Sequence, residues 1–286
     1  MNRVLIIGLD TVVGNALGRH FSDMCQVAGL WFRKPVSHSG ITGQRISESA
    51  LQEQVAQADT VIFCGDAGRS SWDDSFGELA AEQQWLEGSL NALAPASRFV
   101  FVSSDAVYSG PALFHNDGDM QCDRSQIATE LLKLEERVQK TQHSLILRTN
   151  ALGVSLDGRS WCDRIFASLN SGRKLSVRAD VFSTPIFAGT LAELTEACLN
   201  RQATGILNIA GAERTTPWHL ATAISTASGA NREQLSPLPS DGHSCERSLR
   251  CQRLRSEFGL YSPMVKDLVE HLTDLVTEQR RQPVAA

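Results

Sequence analysis

The 286-residue sequence lacks the features that mark membrane, secreted or nucleic-acid-binding proteins. No apolar run approaches the roughly 20 residues that cross a bilayer, and the start MNRVLIIGLD lacks the longer apolar core and cleavage site of a signal peptide. Lys and Arg number 27 against 32 Asp and Glu, so the composition gives no basic surface for nucleic acid. We therefore expect a cytoplasmic protein that binds neither membranes nor nucleic acid.

The sequence also offers no evident metal site or disulfide framework. Its seven cysteines are scattered and never spaced CxxC, a pattern that predicts reduced and mostly buried thiols. In the segment FHNDGDMQCDRS, Asp117, Asp119 and Asp123 lack the glycine and glutamate positions of a calcium loop. A solvated turn is the expectation for this acidic segment.

Short β-branched runs alternate with segments of helical period through the first half of the chain. The runs RVLIIG, QVAGLWF, DTVIFCG, RFVFVSS and SLILR are predicted to be strands buried on both faces. This alternation predicts an α/β fold with a doubly wound, Rossmann-like parallel sheet. We expect this domain over residues 1–150, and a smaller substrate lobe, interleaved with it, over residues 151–286.

The segment IIGLDTVVGNALGRHF places a strand, a glycine turn and a helix in the order of a dinucleotide-binding fingerprint. Gly8 would allow the tight turn and Gly14 the close packing of helix on strand. Backbone N–H groups near Val12 and Val13 would then face a pyrophosphate. Thr11 replaces the middle glycine and narrows the approach of the phosphates, so weakened binding is expected. A tight turn without a ligand is the alternative.

Arg33 and Lys34 follow the second predicted strand, where the adenosine ribose of a bound cofactor would lie. No acidic residue is present there to hold a ribose 2′-hydroxyl, and two cations favour a 2′-phosphate. NADP is therefore expected in preference to NAD. A solvated basic loop is the alternative interpretation.

The segment FVFVSSDAVYSG resembles strand 4 of the extended short-chain dehydrogenase/reductase superfamily, most closely of dTDP-4-dehydrorhamnose reductase and its relatives. Their pattern STDYVFDG puts Ser104 on the catalytic hydroxyl and Asp105 on the adjoining acid. Further segments are similar to family segments in the same order, namely ADTVIFCGDAG, LILRTNALG, STPIFAGTLAEL and CERSLRCQRLRSEFGL. The resemblance covers nearly the whole chain and implies a sugar nucleotide as the small-molecule ligand.

The resemblance further implies reduction of a 4-keto sugar by NADPH, with a proton from the tyrosine of a YxxxK helix. Tyrosine and lysine four residues apart share a helical face, so the ammonium can lower the pKa of the phenol and bind the nicotinamide ribose. In SQIATELLKLEERV, Lys133 takes the lysine position and Thr129 stands in place of the tyrosine. KLEERV is similar to the family's KLAGEQAV. The buried face of this helix is expected to consist of Ile127, Leu131, Leu134 and Val138.

Several residues depart from the family's active site. Thr129 would be a poor proton donor, because an aliphatic hydroxyl is a weaker acid than phenol, whose pKa is about 10, and is too short to reach the carbonyl. Trp85 falls on the asparagine of the proton relay, and Phe63 on an asparagine beside the cofactor. Neither Tyr108 nor Tyr261 lies near the motif in the sequence. Together these changes predict that hydride transfer has been lost or redirected.

By the same resemblance, Arg148, Thr149, Asp180 and Arg250 match positions around the sugar-nucleotide pocket, together with Asp105. The forked donors of arginine suit a diphosphate. Whether the protein forms a homodimer or binds another protein stays open. Purely structural roles for individual site residues stay open as well.

If these residues have only structural roles, Ser104 would cap a loop and Lys133 would be an exposed helix lysine. Two functions thus stay open. The favoured one is a binding protein for NADP and a sugar nucleotide without normal reductase activity. The alternative is an active NADP-dependent oxidoreductase or epimerase with a proton from Cys122, from a water held by Ser104 and Thr129, or from the substrate. His115 was a second candidate group in the loop that contains Cys122.

Overall fold

The computed structural model of the chain describes residues 2–74, 76–77, 79–119, 125–238 and 245–281. Its strands in chain order are β1 (Arg3–Ile7), β2 (Gln26–Trp31), β3 (Ile41–Arg45), β4 (Thr60–Phe63), β5 (Arg98–Ser104), β6 (Ser144–Thr149), β7 (Ala151–Leu152), β8 (Leu175–Arg178), β9 (Val181–Phe182), β10 (Ile186–Phe187), β11 (Gly205–Asn208), β12 (Leu235–Leu238) and β13 (Cys245–Glu246). The helices are α1 (Val12–Ser22), α2 (Glu48–Ala56), α3 (Leu79–Ala92), α4 (Gln126–Gln139), α5 (Trp161–Ser171), α6 (Ala188–Asn200), α7 (Pro217–Ala227), α8 (Gln252–Ser256) and α9 (Val265–Arg281).

The central sheet has 7 strands in the order β11-β6-β5-β4-β1-β2-β3. Every pairing within it is parallel. The predicted α/β fold with a parallel, Rossmann-like sheet is therefore confirmed. The strand order reverses at β1 and β4, and ligands of such sheets bind beyond the carboxyl ends of the strands at this point.

Helices cover both faces of the sheet, which explains the continuous apolar runs of the strands. Leu5 and Ile7 of β1 pack into the core beneath α2, α3 and α4, while Val4 and Ile6 pack on the other face with α1 and α6. Successive side chains of a strand point to opposite faces, so a strand buried on both sides is apolar at every position.

The smaller lobe has a separate hydrophobic core and is connected to the sheet more than once. In it, β8 pairs with β12 and β9 with β13. The chain returns to the main sheet in β11, and α6 packs against α1. The core of the lobe is formed mainly by α5, α7 and α9, with side chains that include Trp161, Ile165, Phe166, Leu220, Ile224, Leu268 and Leu272.

Within the described part of the chain, no helix combines the length and the hydropathy needed to cross a bilayer. The described cysteines, at positions 25, 64, 162, 198, 245 and 251, are all free thiols. Cys122 and Asp123 lie outside the described residues.

Candidate functional site

The turn that follows β1 has the shape of a phosphate-binding turn. Gly8 adopts φ +87°, and a Cβ atom there would stand 2.1 Å from the carbonyl oxygen of Cys64. At Gly14 a Cβ atom would stand 2.0 Å from the carbonyl oxygen of Gly8. Both positions therefore require glycine, because the backbone passes too close for any side chain.

Thr11 is the N-cap of α1, and its side chain is hydrogen-bonded within the glycine turn. Its hydroxyl accepts a hydrogen bond from the Gly14 amide at 3.0 Å and donates one to the Gly8 carbonyl at 2.9 Å. Val13 is buried, and Val12 faces the second lobe, where a Cβ atom on Gly153 would lie 2.9 Å from it. The helix start is thus closely covered by the segment after β7.

Asp10 fixes the loop that follows β2, a role that the sequence analysis missed. Its carboxylate accepts hydrogen bonds from the backbone amides of Phe32 at 2.9 Å, Arg33 at 2.8 Å and Lys34 at 3.0 Å. An acidic residue inside the glycine turn was the signal for this role. The bonds hold Arg33 and Lys34 beside the turn, where the sequence placed them.

The Arg33 guanidinium is already paired with a carboxylate of the same chain. It donates to Asp66 Oδ1 at 2.9 Å and forms a second, shorter contact with Oδ2. Asp66 is only 5% exposed, and its hydrogen bond raises the pKa of Arg33. The Asp66 amide and the amide of Ala67 are in turn held by Glu82, which is 5% exposed and whose pKa burial raises to about 8.

Two further charged side chains, Arg69 and Asp157, extend the Arg33–Asp66 pair across the cleft. We call these four residues the charged network. Arg69 Nε lies 3.5 Å from Asp66, and its guanidinium lies 3.7 Å from Asp157 on the segment after β7. The free volume left in the cleft is about 30 Å³, room for about two water molecules. The turn keeps the glycines of a phosphate-binding turn, whereas side chains nearly fill the cleft beside it.

At the end of β5, Ser104 and Asp105 are fully buried in a chain of hydrogen bonds. Asp105 accepts from Ser104 Oγ at 3.3 Å and from Ser183 Oγ at a shorter distance. Ser183 accepts from Asn150 at 2.8 Å, and Asn150 accepts from Ser70 at 2.5 Å. Burial raises the pKa of Asp105 to about 6. Ser104 also caps the 3-10 turn of residues 105–107 through the Ala106 amide, as the structural interpretation of this serine expects.

The orientation of α4 determines where the predicted catalytic residues Thr129 and Lys133 lie. Both side chains are exposed, and the Thr129 hydroxyl donates back to the Ser125 carbonyl at 2.9 Å. The buried face includes Leu131 and Glu135 instead. Residues two positions apart on a helix point about 200° apart, so Thr129 and Lys133 lie on a different face of α4 from Leu131 and Glu135.

Glu135 anchors this orientation. Its side chain is 1% exposed, accepts from Ser103 Oγ at 2.6 Å and accepts from Arg148 at 2.6 Å. Of the predicted buried face, Leu131, Leu134 and Val138 are buried, whereas Ile127 is 39% exposed. The apolar period was therefore correct for the last three turns of α4 and wrong at its first turn.

The predicted substrate residues do not converge on one site. Arg148 is buried against Glu135 and donates to the Tyr108 hydroxyl, and Thr149 is buried at the end of β6. Asp180 accepts from Arg178 at 2.9 Å and 3.1 Å in the smaller lobe. Arg250 is exposed near the edge of the sheet at β11. Arg148 in particular forms a buried ion pair with Glu135 of α4.

The other residues singled out from the sequence are structural. Tyr108 is fully buried and stacks on His115 with ring centroids 4.3 Å apart, and burial lowers the pKa of that histidine. Trp85 packs against the core, and Phe63 is buried in it. Asp117 is 4% exposed and accepts from the Asn208 amide at 2.5 Å, which corrects its assignment to a solvated turn.

A cavity of about 400 Å³ lies between the loop after β4 and the smaller lobe, and we call it the lobe cavity. Its volume is within the usual range for small-molecule sites. Asp73 and Trp161 line both this cavity and the cleft beside the glycine turn. The other lining side chains that matter here are Trp72, Arg164, Arg178 and Arg247.

Aromatic and cationic groups meet in the lobe cavity. Trp72 and Trp161 pack edge to face with ring centroids 5.3 Å apart. Arg164 is bound to Asp74 and Arg178 to Asp180, whereas Arg247 forms no ion pair with any described residue. Trp72 Nε1 and Arg247 Nε are buried without a hydrogen-bond partner in the described structure. The cavity lining thus combines an aromatic pair with three arginine side chains.

Of the two arginines in the segment CERSLR, Arg247 lines the lobe cavity and the predicted Arg250 does not. Pairing of β13 with β9 places Arg247 beside the lobe cavity. Leu249 then bridges to His115, and Arg250 continues on another surface. The strand pairing therefore selects which arginine of this segment lines the cavity.

Comparisons with known proteins match one protein family and one fold over nearly the whole chain. The family model described as RmlD substrate binding domain matches residues 2–277. A hypothetical dTDP-4-dehydrorhamnose reductase from Sulfolobus tokodaii is 20% identical, with a TM-score of 0.73 over 93% of this chain and 98% of that one.

Two further solved structures carry ligands. A dTDP-4-dehydrorhamnose reductase from Bacillus anthracis str. Ames, in complex with NADP, is 15% identical, with a TM-score of 0.77 over 97% and 99% of the two chains. MoeE5 in complex with UDP-glucuronic acid and NAD is also 15% identical, with a TM-score of 0.79 over 99% and 100%. At such identities these likenesses show the fold. No curated protein sequence matches the chain.

Proposed function

Since the chain belongs to the RmlD substrate-binding domain family, we propose that it binds a sugar nucleotide in the lobe cavity and does not transfer hydride. The proposal has three parts, which concern the catalytic pair, the dinucleotide and the sugar nucleotide. Its central observation is the orientation of α4, because the family's chemistry depends on two side chains of that helix.

The spacing of buried residues on α4 gives a new register for the resemblance. In the family's KLAGEQAV, a glutamate follows the lysine by four positions and a valine follows that glutamate by three. Glu135 and Val138 have this spacing and are both buried. In this register Leu131 stands at the lysine position and Ile127 at the tyrosine position. Both groups that would supply the proton and hold the nicotinamide ribose are then aliphatic.

We expect only weak binding of a nicotinamide dinucleotide. The glycine turn is preserved, and relatives of this fold have been solved with NAD or NADP bound. However, Asp66 neutralises Arg33, and the charged network must open before adenosine can enter. Lys34 is exposed and is the cation left to favour NADP over NAD.

A sugar nucleotide suits the lobe cavity better than a free sugar does. MoeE5, which shares the fold, has been solved with UDP-glucose and with UDP-glucuronic acid. Arg247 would pair with the diphosphate, since a guanidinium offers two parallel donors to phosphate oxygens. Trp72 would supply an apolar face.

Calorimetric titration tests this assignment. UDP-glucose and dTDP-glucose should bind, while glucose should not. Arg247→Ala should weaken the nucleotide sugars at least 10-fold, whereas Arg45→Ala, an exposed change on β3, should leave them unaltered. Arg250→Ala separates the structural assignment from the sequence-based one and should also have no effect. The absence of binding by every nucleotide sugar would refute the proposal.

An NADPH oxidation assay with 4-keto sugar nucleotides tests the loss of chemistry. Proton donation by a positioned acid contributes about 10² to 10⁴ in rate, so we expect no turnover by the natural protein. Thr129→Tyr should not create activity either, because residue 129 lies on the exposed face of α4, opposite the face that carries Leu131. Circular dichroism checks that the variant is folded. Turnover by the natural protein would instead support an active oxidoreductase, and Cys122→Ser would then test a relocated proton donor.

A further inference from the structure

A second concave surface lies at the β11 edge of the sheet, apart from the cleft and the lobe cavity. We call it the arginine groove, and its volume is about 810 Å³. It shares no lining residue with the lobe cavity in the described structure. The side chains that define it are Phe114, Leu249, Arg250, Arg255, Tyr261 and Met264.

Large apolar side chains are unusually exposed in and beside this groove. Tyr261 is 71% exposed and Met264 49%, and Leu113, next to Phe114 in the chain, is 59% exposed. Clustered exposed apolar groups mark interaction surfaces more often than single ones do. Tyr, Met and Arg are also the residues enriched in protein interfaces. The composition therefore favours a protein segment over a small anion, which would leave these side chains in water.

Two arginines give the groove a positive charge in a chain whose net charge is −5. The Arg250 guanidinium lies 5.9 Å from the centre of the Phe114 ring, and that of Arg255 lies 5.8 Å from the Tyr261 ring. No ion pair joins either arginine to a carboxylate of the described residues. Arg253, between them in the sequence, is by contrast paired with Glu257 at 2.8 Å.

Backbone hydrogen bonds hold the walls of the groove in place. The Arg250 amide donates to the His115 carbonyl at 2.8 Å, and the Ala212 amide donates to the Pro263 carbonyl at 2.8 Å. The Leu260 amide donates to the Leu254 carbonyl at 3.1 Å. A preformed surface loses little conformational entropy when it binds, which favours recognition.

We propose that the arginine groove docks a segment of a partner protein that presents carboxylates flanked by apolar side chains. The carboxylates pair with Arg250 and Arg255, and the apolar side chains cover Tyr261 and Met264. This docking does not depend on a ligand in the lobe cavity, so the protein could act through a partner even without chemistry of its own.

Selection from a random phage-displayed peptide library, with the full-length protein as bait, tests this surface. Enriched peptides should combine Asp or Glu with aromatic or aliphatic residues. Synthetic copies, measured by fluorescence anisotropy, should bind at least 10-fold more weakly to Arg250→Glu/Arg255→Glu and more weakly at high salt. The matched control is Arg19→Glu/Arg45→Glu, which makes the same charge change at exposed positions near the opposite edge of the sheet.

Several outcomes would overturn the proposal. These are selection without enrichment, peptides that bind equally to the natural protein and the groove variant, and a consensus without acidic residues. A concentration-dependent dimer in sedimentation that is lost only in the groove variant would assign the surface to a second copy of this chain. Circular dichroism and thermal melting of both variants separate a lost contact from a lost fold.

Discussion

Replacing Glu135 by glutamine should strongly destabilise the protein, and the experiment tests the orientation of α4. The side chains of Glu135 and Arg148 are 1% and 4% exposed, with an oxygen–nitrogen distance of 2.6 Å. The substitution keeps the shape of the side chain and an acceptor for Ser103, but it leaves the Arg148 charge buried without its counter-ion. Removing one partner of a buried pair typically costs about 3 to 5 kcal/mol.

The free energy of unfolding is measured by urea denaturation with circular dichroism at pH 7. Glu136→Gln is the matched control, because the side chain of Glu136 is 69% exposed and pairs with the exposed Lys140. This control should cause no measurable loss of stability. The double variant Glu135→Leu/Arg148→Met should lose less than the sum of the two single changes, since it removes both charges together.

A small effect would refute the reasoning about the catalytic pair. If Glu135→Gln costs less than about 1 kcal/mol, Glu135 is not a buried partner of Arg148. The helix could then be rotated so that Lys133 faces Ser104, and the register that assigns Leu131 and Ile127 to the lysine and tyrosine would fail. The same result would restore the sequence-based expectation for Thr129 and Lys133.

Two further predictions concern the cleft and its acidic residues. Asp66→Asn should release Arg33 and tighten NADPH binding at least 10-fold in a fluorescence titration. Thr11→Gly alone should change the affinity little, because the Thr11 hydroxyl is hydrogen-bonded within its own turn. Unchanged affinity in Asp66→Asn would show that the charged network does not close the cleft. Burial raises the pKa of Glu82 to about 8 from its ordinary value of 4.5. The native state therefore keeps a proton that the unfolded state releases, and stability should fall as the pH rises from 5 to 8. Glu82→Gln should reduce this fall in urea denaturation at the two pH values, and an equally steep fall would exclude Glu82 as its source.

The amino-acid sequence by itself determined the α/β fold and the glycine turn. Both depend on local patterns, because strands buried on two faces must be apolar throughout and Gly8 and Gly14 stand where a side chain would strike the backbone. The family resemblance added the identity of the strands that carry the site. It also predicted Arg250 of the segment CERSLR at the sugar-nucleotide pocket, whereas Arg247 of that segment lines the lobe cavity.

The tertiary structure alone decided which side chains face the site. Lys133 and Glu135 are two positions apart, and long-range contacts of Glu135 with Ser103 and Arg148 hold Glu135 inward. Arg33 is free in the sequence but is paired with Asp66 once β2 and β4 flank β1 in the sheet. Local patterns fix the elements, whereas helix rotation and ion pairing depend on residues distant in the chain, and these contacts exist only after the sheet has formed.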